Sequence, residues 1–258
     1  MRVLCYAQTN IGSGRDNNED NYYCNGTFKR DAAVPVAEAA AEQEGKRLIY
    51  GVFDGMGGEA NGEQAALLCA QTLHRCSSDE PFDALDFFRR ANVAVCDMIA
   101  ASGQVSGSTA ATVHLTGNHA YCCNVGDSRI YRLRGGHMEQ LTQDHSLVGE
   151  LVRAGILTAG EARTHPRRNI ITRALGTEGD NTPDLLAADL QPGDRFLLCT
   201  DGLTGMTRDD EIEKTLLDSQ TADEAADRLI QMALDAGGSD NVTLILCTGE
   251  EGKPWKQD

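Results

Sequence analysis

Three aspartates share one pattern of neighbours. Asp54 ends the apolar run 48–53 and is followed by Gly55, Met56, Gly57 and Gly58. Three of those four residues lack a Cβ, so the backbone there can approach a ligand closely. Asp201 ends the apolar run 195–200 and precedes Gly202, while Asp240 follows Gly237-Gly238-Ser239 and opens the apolar run 242–247. Glu19 and Asp20 stand at the mouth of a shorter run, 21–24, and Asp127 sits in the tight link Asn124-Val-Gly-Asp-Ser-Arg129. Carboxylates at strand ends can converge on one rim of a fold. Without a cation, each close pair would repel by about 3–4 kcal/mol at an effective dielectric near 20. A convergent set therefore implies bound metal, and oxygen donors without His or Cys select the hard cations Mg²⁺ or Mn²⁺. The plainer alternative is that each is a turn or cap aspartate, with Asp54-Gly55 a hairpin turn. Five coincidences of one kind weigh against it.

Composition narrows the field. The chain has 258 residues, 41% hydrophobic and 24% charged, which suits one large domain or two small ones. Its 23 basic and 39 acidic residues give a net charge of −16. That argues against nucleic acid and anionic membranes as partners, and against a metal nuclease. No apolar run approaches a membrane span. Residues 1–9 hold one Arg and no long apolar segment, so no signal peptide is expected. The nine cysteines are odd in number and contain no Cys-x-x-Cys, so they do not read as a zinc site. Most lie in apolar patterns, as in Phe196-Leu-Leu-Cys199, and read as reduced core residues of a cytoplasmic protein.

The elements that must position the carboxylates follow from periodicity. Strands are expected at 2–6, 21–24, 48–53, 195–200 and 242–247, with helices at 62–76, 82–101, 208–218 and 222–236. Leu85, Phe88, Ala91, Val95, Met98 and Ile99 recur at spacings of three and four. Between 108 and 141 four strands are separated by connectors of about three residues, which predicts an antiparallel meander. A helix near 146–154 precedes Thr158-x-x-Glu161, a capping box opening another. Residues 25–47 read as a flexible surface insertion between two strands, and 249–258 as a polar, frayed tail. So many strands exceed one sheet of normal width, so two packed sheets with helices outside are expected.

The blocks Arg15-Asp-Asn-Asn-Glu-Asp20, Val52-Phe-Asp-Gly-Met-Gly-Gly58, Gly107-Ser-Thr-Ala110, Asn124-Val-Gly-Asp-Ser-Arg-Ile-Tyr131, Leu141-Thr-Gln-Asp-His-Ser146, Asn169-Ile-Ile-Thr-Arg-Ala-Leu-Gly176, Cys199-Thr-Asp-Gly-Leu203 and Ser239-Asp-Asn-Val-Thr243 span residues 15–243. In that order the chain resembles the metal-dependent protein phosphatase 2C family, bacterial branch. The resemblance implies an α+β fold: a four-layer αββα sandwich of two mostly antiparallel sheets flanked by helix pairs. It implies a single catalytic domain over 1–248, with a flap at about 145–176. It also implies a monomeric serine/threonine phosphatase that acts on phosphorylated proteins and opposes a Ser/Thr kinase. By the same resemblance Asp54 bridges two Mn²⁺ or Mg²⁺ ions and Gly55 lends its carbonyl to one. Asp201 and Asp240 complete the other, and Glu19 and Asp20 hold bound waters or one ion directly. Arg15 would grip the substrate phosphate, where the plainer reading is a loop arginine.

Two positions depart from the pattern. Some family members carry a histidine, as general acid, where Met56 stands, and some an aspartate where Gly205 stands. A third ion would here rest on Asp127 and Asp201. In the flap, Arg167, Arg168 and Arg173 would favour acidic phosphopeptides, or else simply balance an acidic surface. The competing class is a catalytically inactive binding module on the same fold. Such a module should lose metal aspartates, and this chain keeps them.

Overall fold

In the computed structural model, which describes residues 1–57, 61–191 and 193–248, the chain opens with five strands: β1 (Arg2–Asn10), β2 (Asn21–Cys24), β3 (Thr27–Phe28), β4 (Val36–Glu44) and β5 (Arg47–Phe53). The two-residue β6 (Gly55–Met56), α1 (Gly62–Cys76), α2 (Ala84–Ser102) and the two-residue β7 (Gly107–Ser108) follow. Next come β8 (Ala110–Thr116), β9 (His119–Val125), β10 (Arg129–Arg134), β11 (His137–Gln140), α3 (Leu147–Arg153) and α4 (Ala159–Thr164). The chain closes with β12 (Asp184–Asp189), β13 (Arg195–Cys199), α5 (Asp201–Thr204), α6 (Asp209–Asp218), α7 (Ala222–Asp235) and β14 (Val242–Thr248).

Two antiparallel six-stranded sheets result, in the orders β11-β10-β13-β14-β1-β4 and β12-β9-β8-β5-β2-β3. The apolar run in β5 is continuous because both of its faces are covered. Leu48, Tyr50 and Val52 point into the layer between the sheets, with Val113, Phe196, Leu198 and Ile245. Ile49 and Phe53 point outward against Leu73 of α1 and Phe87 and Val95 of α2. On the far side, Tyr131, Leu197 and Leu244 pack against Ile212 of α6 and Leu229 of α7. The layers are therefore helix pair, sheet, sheet, helix pair, the expected α+β sandwich. Burying each of these large side chains contributes about 1.5–3 kcal/mol.

Three expectations need correction. Residues 25–47 are not a loose insertion: β4 pairs with β1 in register from Arg2↔Glu44 to Asn10↔Val36. Its Ala- and Glu-rich text carries no strand signal because an edge strand can be held by backbone hydrogen bonds with one face solvated. The meander of four strands also fails. β8 pairs with β9 and β10 with β11, but β9 and β10 lie in different sheets. The short link through Gly126, Asp127 and Ser128 carries the chain from one sheet to the other, a corner rather than a hairpin. Finally, not every cysteine is free. Cys5 of β1 and Cys24 of β2 come from the two facing sheets and form a disulfide; a 19-residue separation held no sign of it. Of the remaining cysteines, Cys96 is exposed and the other six are buried. The strand β12 and the one-turn α5 went unforeseen. The tail at 249–258 lies outside the described residues.

Candidate metal and phosphate site

Asp54 leaves the end of β5, and its backbone is clamped from both sides by Thr109. The Asp54 amide donates to Thr109 Oγ1 at 3.0 Å, and the Thr109 amide donates to the Asp54 carbonyl at 2.9 Å. Thr109 Oγ1 is also 2.7 Å from Ser128 Oγ, beside Asp127. The next residue, Gly55, admits no side chain. A Cβ there would lie 2.1 Å from the Gly62 carbonyl oxygen and 2.5 Å from that of Glu19. Gly62, the first residue of α1, similarly leaves room for the Glu19 carboxyl group, 2.6 Å from where its Cβ would stand. Gly55 and Gly62 thus let the Glu19 segment pack directly on this corner.

Glu19 and Asp20 are held in place by hydrogen bonds from other segments. The Glu19 amide donates to Asn241 Oδ1 at 2.8 Å, and Asn241 Nδ2 donates to the carbonyls of Ile11 and Asn17 at 2.8 and 2.9 Å. Asp20 Oδ2 accepts from Thr200 Oγ1 at 2.8 Å. The ammonium of buried Lys29 donates to the Asn18 carbonyl at 2.7 Å, just before the acidic pair. Asn241 and Thr200 stand beside Asp240 and Asp201 in the chain. One acidic position thus positions another.

All the predicted carboxylates meet at this corner. Glu19, Asp20 and Asp127 are buried, and Asp54, Asp201 and Asp240 are half-buried. Burial, then the charges of Asp20, Asp201, Asp127 and Asp240, hold the Asp54 carboxyl well above the usual range. Burial, with Asp240 and Asp201 nearby, pushes Asp20 up to about 7. Burial and Asp240 push Asp201 up to about 6. Asp127 is raised by burial and then by Asp201, and Glu19 is raised chiefly by burial. Burial is the first cause at each position, the neighbouring carboxylates add to it, and Arg15 offsets it only in part.

The donor set fits hard divalent cations. Every donor is oxygen, and the buried Oδ1 of Asp127 has no hydrogen-bond partner. Among the described residues no three His, Cys, Asp or Glu side chains close round one point as a ready-made cage. A Mg²⁺ or Mn²⁺ ion held there would keep several of its waters. Arg15 is exposed, and its Nη2 lies 2.8 Å from Asp240 Oδ2, so its guanidinium stands at the mouth of the cluster.

The other flagged positions separate. Met56, on β6, is held by Ser106 Oγ donating to its carbonyl at 3.2 Å; its thioether has no proton to give. Gly205 caps α5, its amide donating to the Asp201 carbonyl. Arg173 is tied to Asp184 at 3.2 Å and lies beside His145, and Arg167 is exposed. Arg168 lines a cavity next to Asp127 and Asp201. The sequence reading missed Thr109, Thr200, Asn241 and Lys29. The first three lie inside blocks already quoted, beside residues of known type; only Lys29 had no signal.

Oxygen donors gathered beside both sheets of a four-layer sandwich suit a hard cation. The family model for Protein phosphatase 2C matches residues 6–242, and the chain belongs to that family. It is 36% identical over 252 residues to the serine/threonine protein phosphatase PstP of Mycobacterium tuberculosis, covering 95% of this chain and 45% of that protein. The chain thus spans about half the length of that relative. It is 33% identical over 250 residues to the serine/threonine phosphatase stp of Listeria innocua, covering 93% of each chain. The solved catalytic domain of PstP in complex with two manganese ions superposes with a TM-score of 0.78 at 33% identity, covering 96% of this chain and 98% of that one. Among the described residues no helix is long and apolar enough to cross a membrane.

Proposed function

We propose that this chain is a metal-dependent protein serine/threonine phosphatase that hydrolyses phosphoserine and phosphothreonine in phosphorylated proteins. The observation that carries the reading is that carboxylates from separate segments are buried together at one corner, each beside the charge of another. Asp54, Gly55, Asp201 and Asp240, with Glu19, Asp20 and Asp127 around them, would hold two Mn²⁺ or Mg²⁺ ions, and Asp127 with Asp201 a third. When bound, such ions offset the carboxylate charge and activate a water for in-line attack on phosphorus. Arg15 exchanges its contact with Asp240 for the phosphate, where its fork makes two charge-assisted bonds. Thr109 fixes Asp54 against movement, and Thr200 does the same for Asp20. Met56 supplies no proton, so the leaving oxygen takes one from water. The same reading takes residues 1–248 as a single catalytic domain with its flap at 145–176. It places the protein as a cytoplasmic monomer opposing a Ser/Thr kinase.

The test is hydrolysis of nitrophenyl phosphate and a phosphothreonine peptide with and without Mn²⁺. Turnover should require the metal and stop with chelator. Asp54→Asn and Asp201→Asn should each nearly abolish it while circular dichroism stays native. Full turnover in metal-free buffer refutes the site. A folded, manganese-binding wild type that hydrolyses neither substrate would instead be an inactive binding module.

A further inference from the structure

A cavity of about 610 Å³ lies between α3 and α4 on one side and α5 and α6 on the other, and its inner end reaches Asp127 and Asp201. Five arginines and five aspartates line it, and they are unevenly paired. The wall carboxylate of Asp144 is clasped by Arg129, with Nε at 3.0 and 3.1 Å and Nη2 at 2.7 Å. Asp209 accepts from Tyr131 Oη at 3.1 Å and lies 3.6 Å from Arg129. Asp210 takes two bonds from Arg208 at 2.9 and 3.1 Å. Those acids have their counter-ions. Three arginines on the same wall do not. Arg153 Nη1 donates to the Asp144 carbonyl at 3.0 Å and Arg163 Nη1 to the Thr204 carbonyl at 2.9 Å, both neutral acceptors. The Arg168 side chain is exposed and has no hydrogen-bond or ion-pair partner among the described residues. Three arginines without an ion-pair partner among the described residues therefore face the cavity, and the aspartates left to balance them, Asp127 and Asp201, are the two that the proposed ions would occupy.

We propose that this cavity receives an anionic group standing next to the phosphoresidue in the substrate, a carboxylate or a second phosphate, and that Arg168 selects for it. The inference rests on the phosphatase reading of the adjacent site. A phosphoryl group at Asp54 and Asp201 places the neighbouring residues of its peptide at the cavity's inner end. Arg153 and Arg163 are anchored at their guanidinium ends and set the background potential. Arg168, unanchored, is free to form a direct pair with the incoming group.

The test uses phosphothreonine peptides differing only in their flank: Ala, Glu, Lys or a second phosphothreonine. For each enzyme the measured quantity is kcat/KM for the charged flank divided by that for the Ala flank, at low and high salt. Wild type should favour Glu about two- to fivefold, the size expected for a pair at a solvent-open wall. It should favour the second phosphate more, disfavour Lys, and lose most of the preference in 0.5 M salt. Arg168→Ala should bring the ratio towards one, Arg168→Glu should invert it, and Arg168→Lys should restore part of it. A larger gain with phosphate than with carboxylate identifies the doubly phosphorylated peptide as the preferred source. Ratios of one in wild type, or a Glu preference that survives Arg168→Glu, overturn the proposal while nitrophenyl phosphate turnover by wild type leaves the phosphatase reading standing. If wild type with Mn²⁺ hydrolyses nothing, that reading fails and this inference goes with it.

Discussion

Arg15 shows why residue type and spacing are only half of a site. The sequence places it four residues before Glu19, and the fold brings it 2.8 Å from Asp240, 225 residues away. On the proposed reading, an incoming phosphate would draw that guanidinium off the carboxylate. We expect Arg15→Ala to raise KM severalfold to tenfold with a smaller change in kcat, because a grip formed equally in ground and transition states is uniform binding. Steady-state kinetics on a phosphopeptide settles it, and a loss confined to kcat would place Arg15 in the transition state alone. The carboxylates and the glycine after Asp54 were legible at this scale, because few structural roles call for Asp-Gly at the end of a buried strand, whereas the charged Lys29 was not. Thr109, Thr200 and Asn241 were not, because a hydroxyl or amide acquires meaning only from its partner, and those partners lie far off in the chain.

Elements were legible where their own periodicity holds them and opaque where a neighbour does. Helix α1 falls on residues 62–76, as its apolar spacing predicts. The capping box at α4 is also present: the Glu161 amide donates to Thr158 Oγ1 at 3.3 Å and the Thr158 amide donates to Glu161 Oε2 at 2.8 Å. Strand β4 and the corner between β9 and β10 escaped, since one is held by β1 and the other turns on which sheet has room for the next strand. Helix α4 has no buried residue, so its cap matters locally. Thr158→Ala should cost the helix about 0.5–2 kcal/mol. Amide exchange across 159–164 should quicken several-fold while the melting temperature of the whole protein barely moves. A fall of several degrees in that temperature would mean that α4 is integrated with the core more firmly than its exposure indicates.

Across the whole molecule, the layered core makes burial the main source of pH dependence away from the acidic corner. His114 on β8 packs edge-on against Phe82, 5.0 Å between ring centres, and its Nε2 is buried without a partner. Burial, with Arg47 adding repulsion, pushes its imidazole down to about 4. In the unfolded chain the same group titrates near 6.5. The folded protein therefore binds this proton less readily, so the stability present above pH 6.5 is lost as pH falls towards 4. The loss amounts to about 1–3 kcal/mol after allowing for residual solvent screening. His114→Leu should shrink the difference in urea midpoint between pH 7 and pH 4.5, and an unchanged difference would move the acid sensitivity elsewhere. The layering itself was readable from strand count, but the disulfide between Cys5 and Cys24 was not, because facing positions in two sheets leave no mark on sequence spacing. The corner at residues 126–128 has a mechanical consequence. Asp20 and Asp54 adjoin strands of one sheet, Asp201 and Asp240 adjoin strands of the other, and Asp127 rides on the strap between them. Shear of one sheet over the other would change the gaps between these acids before it disturbed either sheet internally, so the site works as a strain gauge for the sandwich. On the proposed reading, an ion held there would rivet the two sheets together.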